Sequence, residues 1–281
     1  TMRRLGLVPF SEGTTKPLFE ENIAALAGEI SDHIDSEALL SLAARWNPLA
    51  PSTGTIFGRH ESSGVRIGIA LDEAFNFYYS DLFDILPALG VEWVAFSPLR
   101  DRLPDADGYI FGGGYPELFL PELEGNDRMR EAVAEWSRAG VPFYAECGGL
   151  MYLTDTVQLK EGWQGRDHEE SYTMCGVFSG KTIMPSFRVI SYVEGESLGQ
   201  NPLGTGHFRG HEFHYSDVVL STETKYSYLL SRGKGICGNR DGAVTGNTLG
   251  SYTHLHPVAS RELLAGFIST CRRWAGNRSS R

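Results

Sequence analysis

Val141-Pro142-Phe143-Tyr144-Ala145-Glu146-Cys147-Gly148-Gly149-Leu150 begins as an apolar strand and breaks abruptly into small residues around a cysteine. Strand residues through Ala145, a sharp turn at Glu146–Gly149 and an immediate helix are the grammar of a nucleophile elbow. Ala145 and Gly149, two positions either side of Cys147, let the chain turn tightly and hold the central residue in a strained pose. A helix starting just beyond Cys147 turns its positive end toward the sulfur and favours thiolate. The alternative is a buried cysteine packing as a small hydrophobe. The strand–turn–helix setting favours Cys147 as a nucleophile.

Outward from the elbow, strands and helices alternate. Val65–Leu71 is a continuous apolar run, as in a parallel strand buried on both faces. Phe77–Leu89 is expected as a helix, Val91–Phe96 as a second strand, and Gly108–Phe111 as a third that ends in Gly112-Gly113-Gly114. Asp127–Ala139 carries Met129, Ala132, Val133 and Trp136 at helical spacing, and Val141–Ala145 is the fourth strand. This alternation predicts an α/β fold with a doubly wound, mostly parallel sheet. Between Thr173 and Leu230 the strands shorten into an antiparallel extension. Leu249–His254 is expected as the last strand and Val258–Trp274 as the closing helix.

The N-terminal stretch follows another pattern. Leu5–Phe10 is expected as a short buried strand, followed by helices at Leu18–Ile34 and Asp35–Trp46, the second capped by Asp35 or Ser36. This looks like the tail of another domain. The Pro-, Gly- and Ser-rich stretch Asn47–Gly64 is the expected linker, giving a division into residues 1–60 and 61–281.

An acyl-transfer nucleophile needs an oxyanion hole and a base. Gly113 and Gly114, at the end of the third strand, offer unhindered backbone amides, and the amide of Gly148 after the cysteine offers another. Among eight histidines, His254 and His256 in Ser251-Tyr-Thr-His-Leu-His close the last expected strand, where the C-terminal ends of parallel strands gather. His254 is the chosen base and His256 its rival. His211, Glu212 and His214 lie on an expected antiparallel strand, where they would contact substrate or a partner domain, or form a hydrogen-bond ladder. Phe75-Asn-Phe-Tyr-Tyr carries too many rings for one helix to bury, which suggests a site rim or an interface.

Composition narrows the class. The 281 residues carry 25 basic and 35 acidic side chains, a formal charge of −10, which repels phosphate backbones and makes nucleic acid a poor partner. No apolar run approaches the roughly 18 residues of a spanning helix, so no membrane partner is expected. Met2-Arg3-Arg4-Leu5-Gly6 is not followed by the apolar stretch of a signal peptide. Cys147, Cys175, Cys237 and Cys271 form neither a Cys-x-x-Cys zinc pair nor a disulfide framework, so no metal site and a reducing, cytoplasmic setting are expected.

Four blocks carry a resemblance. Phe111-Gly-Gly-Gly-Tyr115-Pro-Glu-Leu, Tyr144-Ala-Glu-Cys147-Gly-Gly-Leu-Met-Tyr, Gly210-His-Glu-Phe-His-Tyr-Ser and Ser251-Tyr-Thr-His254-Leu-His resemble the cobyrinic acid a,c-diamide synthase family over essentially everything from Val65 onward. The resemblance implies a flavodoxin-like, class I glutamine amidotransferase domain that releases ammonia from glutamine, with Cys147 as nucleophile and His254 as the histidine that activates it. It also implies a synthetase domain that uses ATP and Mg²⁺ to activate side-chain carboxylates of a tetrapyrrole of the cobyrinic acid type. Arg4-Leu-Gly-Leu-Val-Pro resembles the end of that synthetase domain. Tyr115, His211, Glu212, His214 and His256 are candidates for substrate or interface contact.

Two departures stand out. Many class I amidotransferases carry Glu two residues after the histidine; here that position is His256, so what orients His254 is open. No Gly-x-x-x-x-Gly-Lys-Ser/Thr phosphate loop occurs, so no cofactor is expected in this chain, and it is read as a glutaminase fragment or a subunit whose partner holds ATP. Rival readings are an amidase for another tetrapyrrole, such as nickel-sirohydrochlorin, and a flavodoxin-like stress protein with an elbow cysteine. Self-association into a homodimer is left open.

Overall fold

The chain separates into two compact units, Thr1–Ile56 and Phe57–Arg281. In the computed structural model, residues 16–47 and 62–279 are described. In the first unit, α1 (Lys16–His33) is followed by α2 (Ser36–Ala44). Asp35 is the cap: its carboxylate accepts from the Ala38 amide at 2.9 Å, satisfying a donor that the first helical turn leaves open. Ile23, Leu26 and Ile30 of α1 and Leu39, Leu40 and Leu42 of α2 are exposed. The strand expected at Leu5–Phe10 and most of the linker expected at Asn47–Gly64 lie outside the described residues.

The second unit opens with β1 (Arg66–Ala70), α3 (Asp81–Ala88), β2 (Glu92–Phe96), β3 (Gly108–Phe111), α4 (Leu120–Gly125), α5 (Asp127–Ala139), β4 (Phe143–Glu146) and α6 (Gly148–Leu153). The next strands are β5 (Thr154–Leu159), β6 (Glu170–Thr173), β7 (Phe178–Met184), β8 (Val189–Ser197), β9 (Gly206–His214) and β10 (Asp217–Leu220). The unit ends with β11 (Lys225–Arg232), β12 (Arg240–Thr245), β13 (Thr248–Ser251), β14 (His254–Leu255) and α7 (Arg261–Ser279).

Strands β2, β1, β3, β4 and β13 lie side by side and parallel. Both faces are covered, as parallel sheets require. Leu86 of α3 and Phe267 and Cys271 of α7 pack with Ile67 and Ile69 of β1 on one side. Met129 and Val133 of α5 and Leu150, Met151, Tyr152 and Leu153 of α6 join Phe111 and Phe143 on the other. Burying each large apolar side chain contributes roughly 1.5–3 kcal/mol, so the middle of this sheet is the stable platform on which the elbow sits.

Beyond β13 the same sheet continues antiparallel through β12, β11, β8, β9 and β14. A second sheet holds β10, β7, β5 and β6. Although β13 and β14 are separated in sequence only by Tyr252 and Thr253, β13 pairs with β4 and β14 with β9. The extension therefore curls back over the C-terminal end of β4.

Two expected elements differ. The helix expected at Phe77–Leu89 begins only at Asp81. Phe77 instead donates its amide to the Gly113 carbonyl at 3.0 Å, and Tyr115 donates to Ala74 O at 2.9 Å, so pairing with the glycine turn overrides the helical spacing. The single strand expected at Leu249–His254 is two short strands with a break between them. The fully buried Asp241 makes the break, accepting from the Tyr252 amide at 3.0 Å, the Thr253 amide at 2.9 Å and the Thr253 hydroxyl at 2.7 Å.

Candidate active site

Strand β4 ends at Glu146 and α6 begins at Gly148, leaving Cys147 to take the turn at φ 48° and ψ −98°. A non-glycine residue held there stores about 1–3 kcal/mol of strain and persists only where its surroundings over-determine it. Here Cys147 N donates to Ser251 O at 2.7 Å, and Met151 N donates to Cys147 O at 3.0 Å. Gly149 allows the tight exit: a Cβ there would fall 2.3 Å from the Phe111 carbonyl oxygen, so only glycine lets α6 start this close to β3. The thiol is nearly buried and lies 3.7 Å from the Phe213 carbonyl oxygen of β9.

The glycine turn after β3 is tied to the elbow and to the aromatic segment. Gly149 N donates to Gly112 O at 3.1 Å, and Gly112 N donates to the Tyr78 hydroxyl at 2.8 Å. The Gly114 amide nitrogen is 3.2 Å from where a Cβ on Gly148 would stand. Among the described residues no backbone carbonyl accepts from the Gly114 or Gly148 amide. Gly114 thus lies against the residue that follows Cys147, and it lines the same cleft as the sulfur.

His254 sits over this turn. Strand pairing sets it opposite His211, and the two imidazoles stack at 4.8 Å and 14°. Phe77 packs edge-on against both imidazoles, at 5.1 Å from His254 and 5.9 Å from His211. Gly113 lies so close that a Cβ there would be 2.5 Å from His254 Cε1. The ring's Nδ1 is 3.4 Å from Glu146 Oε2, and the ring shares its cleft with Cys147. Burial pulls the imidazole pKa down, but hydrogen bonds and charge interaction with Cys147 and Glu146 outweigh it and push the value up to about 10.

A cleft opens onto the sulfur and is lined by Gly114, Tyr115, Cys147, His211, His214 and His254, with Phe77, Met151 and Phe213. His211 Nδ1 is 3.2 Å from the Tyr79 hydroxyl, and its pKa is lowered by burial and by His254. His214 stacks flat on Tyr252 at 3.6 Å, with Nδ1 2.9 Å from Ser216 O.

Two candidates stand apart from the cleft. His256 points its Nε2 to Asp81 Oδ2 at 3.6 Å, its ring tilted on Tyr79 at 4.4 Å. Glu212 is buried beneath the extension, accepting from Lys234 N at 2.5 Å and Gly235 N at 3.0 Å, with His214 at 3.7 Å. The aromatic segment forms a rim: Phe75 is fully buried, whereas Phe77 is 44% exposed at the cleft.

Glu146 escapes a reading that looks for the carboxylate after the histidine. Its available signal is a charged residue closing an otherwise apolar buried strand, immediately before the cysteine. The Phe213 carbonyl carries no sequence signal, because any residue supplies one.

A doubly wound sheet with a cysteine elbow after β4, glycine amides beside it and a histidine folded back over it has the flavodoxin-like architecture of class I glutamine amidotransferases. Solved structures with this fold include PurLQS from Thermotoga maritima, TM-score 0.53 at 13% identity, covering 73% of this chain and 98% of that one. A glutamine amidotransferase superposes with TM-score 0.52 at 15% identity, covering 74% and 98%. Residues 66–262 match the CobB/CobQ-like glutamine amidotransferase domain. The chain belongs to this family.

Curated relatives carry the name cobyrinate a,c-diamide synthase. That of Methanosarcina acetivorans is 43% identical over 296 residues, covering 100% of this chain and 60% of the relative. Those of Methanothermobacter thermautotrophicus and Listeria innocua are 36% and 38% identical, covering 94% and 90% of this chain and 57% and 55% of the relatives. The chain thus spans little more than half the length of the proteins it resembles. Among the described residues no helix is long and apolar enough to cross a membrane.

Proposed function

We propose that this chain is the glutaminase portion of a cobyrinate (or hydrogenobyrinate) a,c-diamide synthase, with Cys147 as nucleophile and His254 as its acid–base partner. The observation that carries the reading is the strained Cys147 backbone at φ 48° with His254 and the sulfur lining one cleft. An imidazolium is the counter-ion a thiolate nucleophile needs.

The chemistry follows from these groups. The Cys147 thiolate attacks the side-chain carbonyl carbon of glutamine, and the developing oxyanion is met by the amides of Gly114 and Gly148, with Gly113 holding the turn. As the carbon–nitrogen bond breaks, His254 gives its proton to the departing nitrogen and ammonia leaves. The neutral imidazole then takes a proton from water, which attacks the thioester and releases glutamate. Tyr115, His211 and His214 line the cleft where the rest of glutamine would lie.

Amidation of a carboxylate needs prior activation, since ammonia does not displace its oxygen unaided. No Gly-x-x-x-x-Gly-Lys-Ser/Thr loop occurs in the sequence to cradle the phosphates of a nucleotide. We assign ATP, Mg²⁺ and the tetrapyrrole to sequence outside this chain, and residues 1–60 to the end of that synthetase region. The Methanosarcina acetivorans relative supports this assignment, because its match covers the whole chain while the amidotransferase match begins at residue 66.

The test has two arms. A diazo-ketone analogue of glutamine should alkylate Cys147 and spare Cys175, Cys237 and Cys271; a label mainly on any of those three refutes the nucleophile. Calorimetric titration with Mg-ATP should show no saturable binding, and incubation with cobyrinate, glutamine and Mg-ATP should form no amide. ATP binding would place a nucleotide site in this chain.

A further inference from the structure

We propose that Glu146, the residue immediately before the elbow cysteine, is the positioning carboxylate for His254. It would hold the ring by Nδ1–H so that Nε2 faces the sulfur. The inference rests on the Cys147–His254 reading above and supplies the orienting group that reading lacks.

The geometry is specific. Glu146 Oε1 is occupied, accepting from the Leu255 amide at 2.9 Å and from the Tyr144 hydroxyl. Oε2 is thereby aimed at His254 Nδ1, at 3.4 Å. Both side chains are shielded, with exposures of 12% and 4%, so water competes weakly for the contact. At this length it is an ion pair with room to shorten, as catalytic contacts do when substrate closes a site. His254 Nδ1 is buried with no hydrogen-bond partner among the described residues, and the carboxylate of Glu146 is the charged group in front of it.

The position where a carboxylate would be sought, two residues beyond the histidine, holds His256, whose ring turns away to Asp81 and Tyr79. The groups that face His254 from each packed element are Cys147 at the elbow, Glu146 from β4, and His211 from β9, backed by the Tyr79 hydroxyl. The aromatic segment that supplies Tyr79 also adds the uncharged Phe77 ring. Glu146 is the one carboxylate among them.

Its place in the chain gives the arrangement a consequence. Strands β4 and β14 are not neighbours in the sheet, yet Glu146 spans them, reaching Leu255 N and His254 Nδ1 from the residue that abuts Cys147. Nucleophile and base are thus set by one turn, and the positioning group cannot move without moving the nucleophile. A carboxylate on Nδ1 fixes the tautomer and holds the imidazolium.

The decisive experiment pairs a titration of His254 by NMR in the unsubstituted chain with glutaminase kinetics of Glu146→Gln and Glu146→Asp. In the unsubstituted chain the imidazolium should persist to about pH 10. Glu146→Gln keeps an acceptor for Leu255 N but presents an amide to Nδ1. It should lower the His254 pKa and cut kcat by roughly 10²–10⁴-fold, with KM for glutamine within about threefold. Glu146→Asp should recover part of both. A purely structural role would move stability and leave the His254 titration where it was.

An ordinary histidine titration in the unsubstituted chain, or a Glu146→Gln variant with unchanged kcat and pH profile, overturns the proposal. If Glu146→Gln does not fold, Glu146→Asp carries the test: a His254 titration and kcat both unchanged from the parent overturn the proposal. If instead Cys147→Ala retains turnover, the underlying Cys147–His254 reading fails, and that outcome is distinct.

Discussion

The elbow and the antiparallel extension line the same cleft by opposite routes. At the elbow, consecutive residues do everything: β4 delivers Cys147, Gly149 permits the exit, and the amide of Gly148 follows directly. In the extension, Phe213 reaches the thiol from 66 positions away, and His254 arrives because β14 pairs with β9 rather than with a parallel strand. A nucleophile can be encoded locally, whereas the groups that act on it are placed by topology. Damage to the two regions should therefore differ in kind: at the elbow chemistry is lost with the fold intact, and in the extension geometry is lost with the elbow intact.

The largest effect is expected at the elbow. Cys147→Ala should reduce glutamate release by at least about 10⁴-fold while the far-UV circular dichroism stays unchanged, since no other group can form the thioester. His254→Ala should cost roughly 10²–10⁴-fold in turnover, the size of a general acid–base contribution. His256→Ala should change it little, because its ring is directed to Asp81. If the two histidine effects were reversed in steady-state assays, the base would have to be reassigned and with it the pairing of β14.

A sharper test of the topological route is Asp241→Ala, which touches neither reactive group. It strips the acceptor from two buried amides and a hydroxyl, so it should destabilise the chain by about 2–4 kcal/mol in urea denaturation. The residual folded protein should still carry Cys147 in its turn but react more slowly with the glutamine analogue, because the break that delivers His254 has loosened. A variant as stable and as reactive as the parent would show that Asp241 does not set that break.

The smallest effect is expected deep in the extension, at Glu212. Burial raises its pKa, but hydrogen bonds from His214 and from the Lys234 and Gly235 amides prevail and hold the carboxyl below its ordinary 4.5. A carboxyl held low in the folded state stabilises above the unfolded pKa, and the contribution is lost as pH falls through the folded value. The parent should therefore lose stability below about pH 4.5, its ordinary value. Glu212→Gln should flatten that acid limb and cost about 1–2 kcal/mol at neutral pH, measured by denaturation across pH.

The limits of the sequence reading follow the same division. Apolar runs and glycine turns made β1, β3, β4 and α5 legible nearly to the residue, because each is specified by its own periodicity and ends. The helix expected from Phe77 starts late because aromatic spacing says nothing of the Gly113 carbonyl waiting to pair with that backbone. The strand expected through His254 breaks because a carboxylate outside it, Asp241, takes its amides. Glu146 was in view beside Cys147, yet its contact with His254 exists only once β14 has folded back.

By itself, then, the sequence determined the parallel sheet, the cysteine at the end of a buried strand, and the small residues that let the chain turn there. These depend on steric and periodic rules acting over a few neighbouring residues. Which histidine shares the cleft with the cysteine and which carboxylate faces that histidine were decided by the tertiary structure. Such contacts depend on strand pairing across the sheet, where a change of register or direction carries a side chain to the other face or the far edge of the site.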